Sequence, residues 1–212
     1  MRFLNCHQKF CIHNFLFEYF LNLRILYKGG HMIKRSKEKQ LREKANEILR
    51  KTGFPLSEKE METTAVADFG LNHPEKEGAQ ILTLFATERI SAKLIVLFPG
   101  QFLPEHWHPP VGDDPGKEEI LRGLYGECHY AEEGEDNCPD LVFPEGKKEQ
   151  YSTRSFHVIT PGKQIIIPSG KKHWISGGEK GGVVISFSTC VRDALDQFTD
   201  KKVERITVFE ED

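Results

Sequence analysis

The chain has 212 residues and a mass of 24.3 kDa, enough to bury a substantial core and too little for several independent catalytic domains. Lysine and arginine number 29 against 32 aspartates and glutamates, a formal net charge of -3, so no global basic field exists to draw in nucleic acid or an anionic membrane surface. The five cysteines (Cys6, Cys11, Cys128, Cys138, Cys190) form no CxxC pair and read as reduced, cytoplasmic thiols rather than a disulfide framework.

Residues 1–31 differ from the rest: Phe3, Phe10, Phe15, Phe17 and Phe20 are five of the 15 phenylalanines. Lys9, His13, Glu18 and Arg24 interrupt this stretch, which therefore lacks the apolar run of a signal peptide, and no run of about 20 apolar residues predicts a membrane span. An aromatic helix over residues 14–27 is one reading. The pentapeptide Lys28-Gly29-Gly30-His31-Met32 favours another: codons such as AAA GGA GGT CAT ATG would encode it, and they contain a bacterial ribosome-binding sequence ahead of a start codon. Residues 1–31 are therefore expected to be a mis-assigned upstream extension, with Met32 as the start. Residues 32–67 then make an N-terminal helical segment. Its helix is predicted over residues 36–51, from the helical spacing of Leu41, Ala45, Ile48 and Leu49 with Gly53 just past the end.

Residues 68–212 are expected to form the catalytic domain. From Ile81 onward the apolar runs are short and punctuated by Gly, Pro and Asp: ILTLFA, AKLIVLFPG, EEILRGLYGECHY, QIIIPSG and GGVVISFS. They predict a mainly β fold, a barrel or sandwich, and no Gly-rich phosphate loop precedes a helix. Residues 132–150 are polar with Pro and Gly, a predicted surface excursion, and the charged tail from residue 193 is expected to run over the surface.

Chemistry concentrates in Glu105-His106-Trp107-His108. In a strand, residues i and i+2 share a face, so His106 and His108 project together while Glu105 and Trp107 point away. Pro109-Pro110 then end the strand, since neither can donate to a ladder. A His-x-His pair alone also fits two hydrogen-bonded structural histidines. Lys117 and Glu119 share one parity, which places Lys117 as a candidate catalytic group; Glu118 and Arg122 fall on the outer face. Trp174, beside His173, is predicted to pack. His73, His129 and His157 stand in no comparable pattern and are read as surface or structural residues.

The wider spacing is more specific. Gly100-x5-His106-x-His108-x10-Glu119-x6-Gly126, followed by Gly162-x5-Pro168-x-Gly170-x2-His173-x3-Gly177, resembles the two motifs of the cupin superfamily. The departures are a longer gap before the glutamate and Gly177 where that family often has Asn. The resemblance implies a cupin-type β-barrel or jelly roll in which His106, His108, Glu119 and His173 bind a divalent metal. Such a ligand set suits Mn, Fe, Co, Ni or Zn.

Within the cupins, LIVLFPGQFLPEHWHPP, GKEEILRGLYGECHYAEEGE, PGKQIIIPSGKKHW and DQFTD resemble the D-lyxose isomerase (D-lyxose ketol-isomerase) family over residues 68–200. This implies an isomerase using Mn2+, with Co2+ or another divalent ion as substitute, that converts D-lyxose to D-xylulose and also D-mannose to D-fructose. Lys93 and Lys117 are the few inward basic candidates, so a free sugar rather than a sugar phosphate is expected as the small-molecule partner, together with a second copy of the chain in a homodimer. Members of the family tend to carry Glu where this chain has Ser186, which leaves the proton-transfer base and the preferred sugar open. A cupin dioxygenase and a non-catalytic sugar-binding cupin are the competing readings; the absence of a helix-turn-helix or basic segment weighs against a DNA-linked sensor.

Overall fold

A computed structural model describes residues 32–189 and 193–212; the expected upstream extension 1–31 and Cys190 lie outside the described residues. The predicted helix forms as α1, Arg35–Lys51. Leu41, Ala45 and Leu49, one turn apart, are buried, and Gly53 follows at a φ of 69°, a left-handed position that glycine adopts without strain. On the other side of the helix Glu38 receives Arg35 at 2.7 Å and pairs with Arg42. A short helix α2, Glu58–Met61, is closed by a reciprocal capping box between Ser57 and Glu60.

The strands are β1 (Ile33–Lys34), β2 (Ala65–Ala67), β3 (Ala79–Ala86), β4 (Ile90–Leu97), β5 (Phe102–Trp107), β6 (Glu119–Glu132), β7 (Ser155–Ile159), β8 (Gln164–Ile167), β9 (His173–Thr189), β10 (Gln197–Phe198) and β11 (Phe209–Glu210). β1 and β11 pair in parallel. The others make one nine-stranded sheet, ordered β10-β5-β9-β4-β3-β2, with β6 joining β7, β8 and β9. β9 is its spine: its first residues pair with β5, its last with β4, and it pairs with β6 along its length.

The sheet curls because the long strands bend at glycines. Between Gly126 and Cys128 the β6–β9 ladder shifts register, and Gly126 has a φ of 62°. Opposite, a Cβ on Gly177 would lie 2.2 Å from the Phe98 carbonyl oxygen, so only glycine allows that approach. The curl divides the apolar residues into two layers. Ile95, Leu97, Leu121, Tyr130, Ile175 and Val184 fill the concave face, while Leu82, Leu94, Val96 and Val183 on the convex face are sealed by α1. This is the mainly β, cupin-type architecture expected from the sequence.

The excursion after β6 does more than run over the surface. Val142 is 82% exposed, but Leu141 and Phe143 turn back onto a third cluster of Phe102, Tyr151 and Trp174. The C-terminal segment is a clear correction. Instead of lying on the outside, it enters the concave face: β10 extends the sheet beside β5, with Phe198 opposite His106. Among the described residues no helix is long and apolar enough to cross a membrane.

Candidate active site

His106 ends β5, His108 follows immediately after it, and the β5–β9 ladder sets His173 directly across from His106. The curled sheet thus brings the three imidazoles together. Ring centroids lie 4.3 Å apart for His106–His173 and 5.2 Å for both His106–His108 and His108–His173, and one ring nitrogen from each falls within 4.8 Å of the others. All three are buried.

Their hydrogen bonds fix how they can be used. His106 Nδ1 lies 2.9 Å from the Pro104 carbonyl and His173 Nδ1 2.9 Å from the Lys171 carbonyl. A carbonyl only accepts, so each Nδ1 carries the proton and each Nε2 keeps a lone pair. Neither ring nitrogen of His108 has a hydrogen-bond partner, an orphaned buried pair that would ordinarily cost stability. Burial holds all three below the usual histidine range, reinforced for His106 by the neighbouring His173 and for His108 by Lys117; His108 falls to about 3. Neutral imidazoles with converging lone pairs are the state that ligates metal.

Glu119 opens β6 and projects into the same cavity. Its Oε2 lies 3.6 Å from His108 Nε2 and 3.6 Å from Lys117 Nζ, and its Oε1 accepts the Ser186 hydroxyl proton. Burial works against the charge on Glu119, but Lys117, the histidines and Ser186 outweigh it and hold the carboxyl below its usual range. Lys117 is inside as parity predicts, 3.4 Å from Asp193; burial opposes its charge, and Glu119, Asp193 and Asp196 more than restore it.

The C-terminal segment supplies what the sequence reading missed. Asp193 meets Lys93 at 2.5 Å, Arg205 at 3.2 Å and Lys117, and despite burial these cations hold its carboxyl well below the ordinary range. Asp196 Oδ1 lies 3.9 Å from His108 Nε2; burial pushes its pKa up to about 7, with Lys117 opposing and Asp193 adding to the rise. Phe198 packs against His106 at 5.6 Å and Phe69 at 5.7 Å between centroids. Phe69, Lys93, Asp193, Asp196, Phe198 and Arg205 therefore line the cavity with the histidines, Lys117 and Glu119. The available signal was the DQFTD stretch, which contributed to the family resemblance but was not read for contact.

The remaining sequence readings separate by face. Arg122 is outside, hydrogen-bonded to Gln164 at 3.1 Å, and Glu118 is exposed. Glu105 faces away from the histidines yet is buried, accepting from Ser152, Thr153 and Thr199. Trp107 points away, with Lys172 5.4 Å from its ring, and Trp174 donates to the Thr153 carbonyl at 3.2 Å within the aromatic cluster. His73 is exposed, and His129 bonds Glu127 at 2.9 Å.

No protein-family model matches the chain. It is 43% identical over 175 residues to the D-lyxose ketol-isomerase of Cohnella laeviribosi, covering 82% of this chain and 96% of that protein. It is 40% identical over 181 residues to the D-lyxose/D-mannose isomerase of Thermosediminibacter oceani, covering 85% and 100%. Among solved structures, the unliganded L-ribose isomerase of Cellulomonas parahominis matches with a TM-score of 0.68 at 14% identity, covering 84% of this chain and 99% of that one. The L-ribose isomerase of Geodermatophilus obscurus gives 0.69 at 16%, with 84% and 99% covered; at such identities these two bear on the fold alone. With relatives of this identity matched over nearly their full length, the chain belongs to the D-lyxose ketol-isomerase family of aldose-ketose isomerases.

Proposed function

We propose that the protein is a metal-dependent isomerase of free aldoses that converts D-lyxose to D-xylulose and also accepts D-mannose, with His106, His108, Glu119 and His173 as the ligands of a divalent ion, Mn2+ foremost. The observation that carries this reading is the buried trio of neutral imidazoles, with two Nε2 lone pairs oriented by carbonyls and both His108 nitrogens left without partners. The donor set suits such an ion: three borderline nitrogens and one hard carboxylate. When bound, it would act as a Lewis acid on the O1 and O2 oxygens of an open-chain sugar, where negative charge develops as hydrogen moves between C1 and C2.

The chain's own residues do the rest. Ser186 fixes one oxygen of Glu119 and leaves Oε2 facing His108 and Lys117. Lys117 stays an ammonium in this setting and offers its Nζ protons to a sugar oxygen, stabilising charge there. Phe69 and Phe198 wall the cavity with apolar surface, excluding water from the reacting carbons.

Charge balance supports a free sugar as substrate. Lys93, Lys117 and Arg205 are all answered by the single carboxylate of Asp193, so a phosphate dianion would compete with a buried acid for every cation it needs. A cytoplasmic setting is part of the reading, supported by Cys128 and Cys138 as free thiols. Dialysis against a chelator is expected to abolish turnover of D-lyxose, and Mn2+ or Co2+ to restore it, with free mannose preferred over mannose 6-phosphate. Undiminished turnover by a rigorously metal-free preparation overturns the metal dependence, and a preference for the phosphate overturns the substrate class.

A further inference from the structure

The convex face of the sheet is covered only in part. α1 seals it over Leu82, Leu94, Val96 and Val183, but the apolar surface continues past the helix. The ladder registers align Ile166, Ile120, Phe187, Ala92 and Phe85 in one row across β8, β6, β9, β4 and β3. Ile166 is 57% exposed, Phe85 45% and Phe187 40%, and Ile90 beside the row is 54% exposed. Phe85, Ile90, Ile120 and Phe187 border a groove of about 240 Å³. Scattered apolar residues on a surface need no explanation, but a contiguous row of this kind marks a contact surface.

Charge identifies the occupant. Along β6 the outward positions are Glu118, Ile120 and Arg122, an acid, an apolar residue and a base, both charged residues being exposed. At strand spacing each charge stands about 7 Å from Ile120. Packing two copies face to face about a two-fold axis that runs along the apolar row reverses the strand direction across the contact. Ile120 then meets its own copy, and Glu118 comes opposite Arg122 of the partner subunit. An axis along the strands would set Glu118 against Glu118 of the partner subunit, a like-charge clash. The stripe is therefore complementary to itself in one orientation, which is the requirement of a closed two-fold interface.

We infer that a second copy of this chain packs on this face about an axis lying along the Ile166–Phe85 row, giving a homodimer whose orientation is set by Glu118 and Arg122. The inference uses no residue of the proposed metal or sugar site and stands whether or not that reading holds.

Light scattering on the full chain tests it. The expected mass is twice 24.3 kDa, falling to the single-chain value in Phe187→Glu with an unchanged circular dichroism spectrum. Glu118→Arg and Arg122→Glu, each of which replaces two opposite-charge pairs by like-charge pairs, are expected to weaken dimerisation about tenfold or more, and combining them to restore it. Both sites are exposed, so this charge exchange decides the matter even if Phe187→Glu fails to fold. A monomeric parent chain, as when residues 1–31 or another protein occupy the face, overturns the inference. So does a dimer that survives both charge reversals.

Discussion

Lys117 and Glu119 share a cavity 3.6 Å apart but have different work. Glu119 faces His108 and is a proposed ligand, so Glu119→Gln is expected to lower bound metal and activity together, a neutral amide being a poorer donor to a hard cation. Lys117 acts on the sugar instead. Lys117→Met should keep near-parent metal content while kcat/KM falls on the order of 10²-fold, so metal analysis by mass spectrometry separates two variants that activity alone would not. A Lys117→Met protein of near-parent activity would remove it from the mechanism. At this scale the strand period made His106, His108, Lys117 and Glu119 legible in the sequence, because parity along one strand decides which way each side chain faces. Asp193 and Asp196 were not legible. They lie in a short 3-10 turn and the residue after it, where no period applies, and only the tertiary path of the tail brings them to Lys117 and His108. Ser186 was noticed as a departure; its bond to Glu119 came from the β6–β9 pairing.

Elements were read more surely than their lengths. HWISGG and GGVVISFS belong to one strand, β9, because its glycines, which read as turn punctuation, serve as bend points where two backbones approach. The reverse error concerns residues 132–150, whose polar composition conceals Leu141 and Phe143 packed beneath. What ties that excursion to the sheet is Glu105 on the hidden side of β5. It accepts the Thr153 amide at 2.7 Å and the hydroxyls of Ser152 at 2.8 Å, Thr153 at 2.7 Å and Thr199 at 2.6 Å, so one carboxylate joins β5, the excursion and the C-terminal segment. Burial opposes its charge, yet the bonds from Thr199, Thr153 and Ser152 outweigh that and hold its pKa below the ordinary 4.5. For a depressed carboxylate the stabilisation is complete above the unfolded pKa and is lost as pH falls through the folded value. Glu105→Gln is expected to cost roughly 2–4 kcal/mol at neutral pH, since its amide group confronts donors with a donor. In thermal melts across pH, the gap between parent and variant should narrow below about pH 4.5. A gap that is absent at pH 7, or that widens in acid, would contradict this role for Glu105.

On the scale of the whole molecule, the site exists because one sheet folds over itself. His173 and Ile175 precede the glycine bend of β9, while Val184 and Ser186 follow it, so the bend brings the histidine end of the strand and the Ser186–Glu119 pair to one cavity. The close contact at the bend is Gly177 against the carbonyls of Phe98 and Leu97, which a Cβ would approach to 2.2 and 3.1 Å. The obstacle is backbone, so no side-chain rotation can relieve it. Gly177→Ala must push β9 away from the end of β4, at a cost of roughly 3 kcal/mol, the upper part of the range for overpacking. The displacement would act on His173 through the strand that carries it and on its register with His106. Melting temperature, bound metal and turnover are therefore expected to fall together, while far-ultraviolet circular dichroism keeps its strand signature because the ladders away from the bend persist. This pattern differs from that of Lys117→Met, which leaves metal and stability in place, and from that of the interface variants, which change mass alone. A Gly177→Ala protein that melts with the parent and binds metal fully would show that the curl does not depend on this contact, and the register shift at Gly126 would then have to carry the bend.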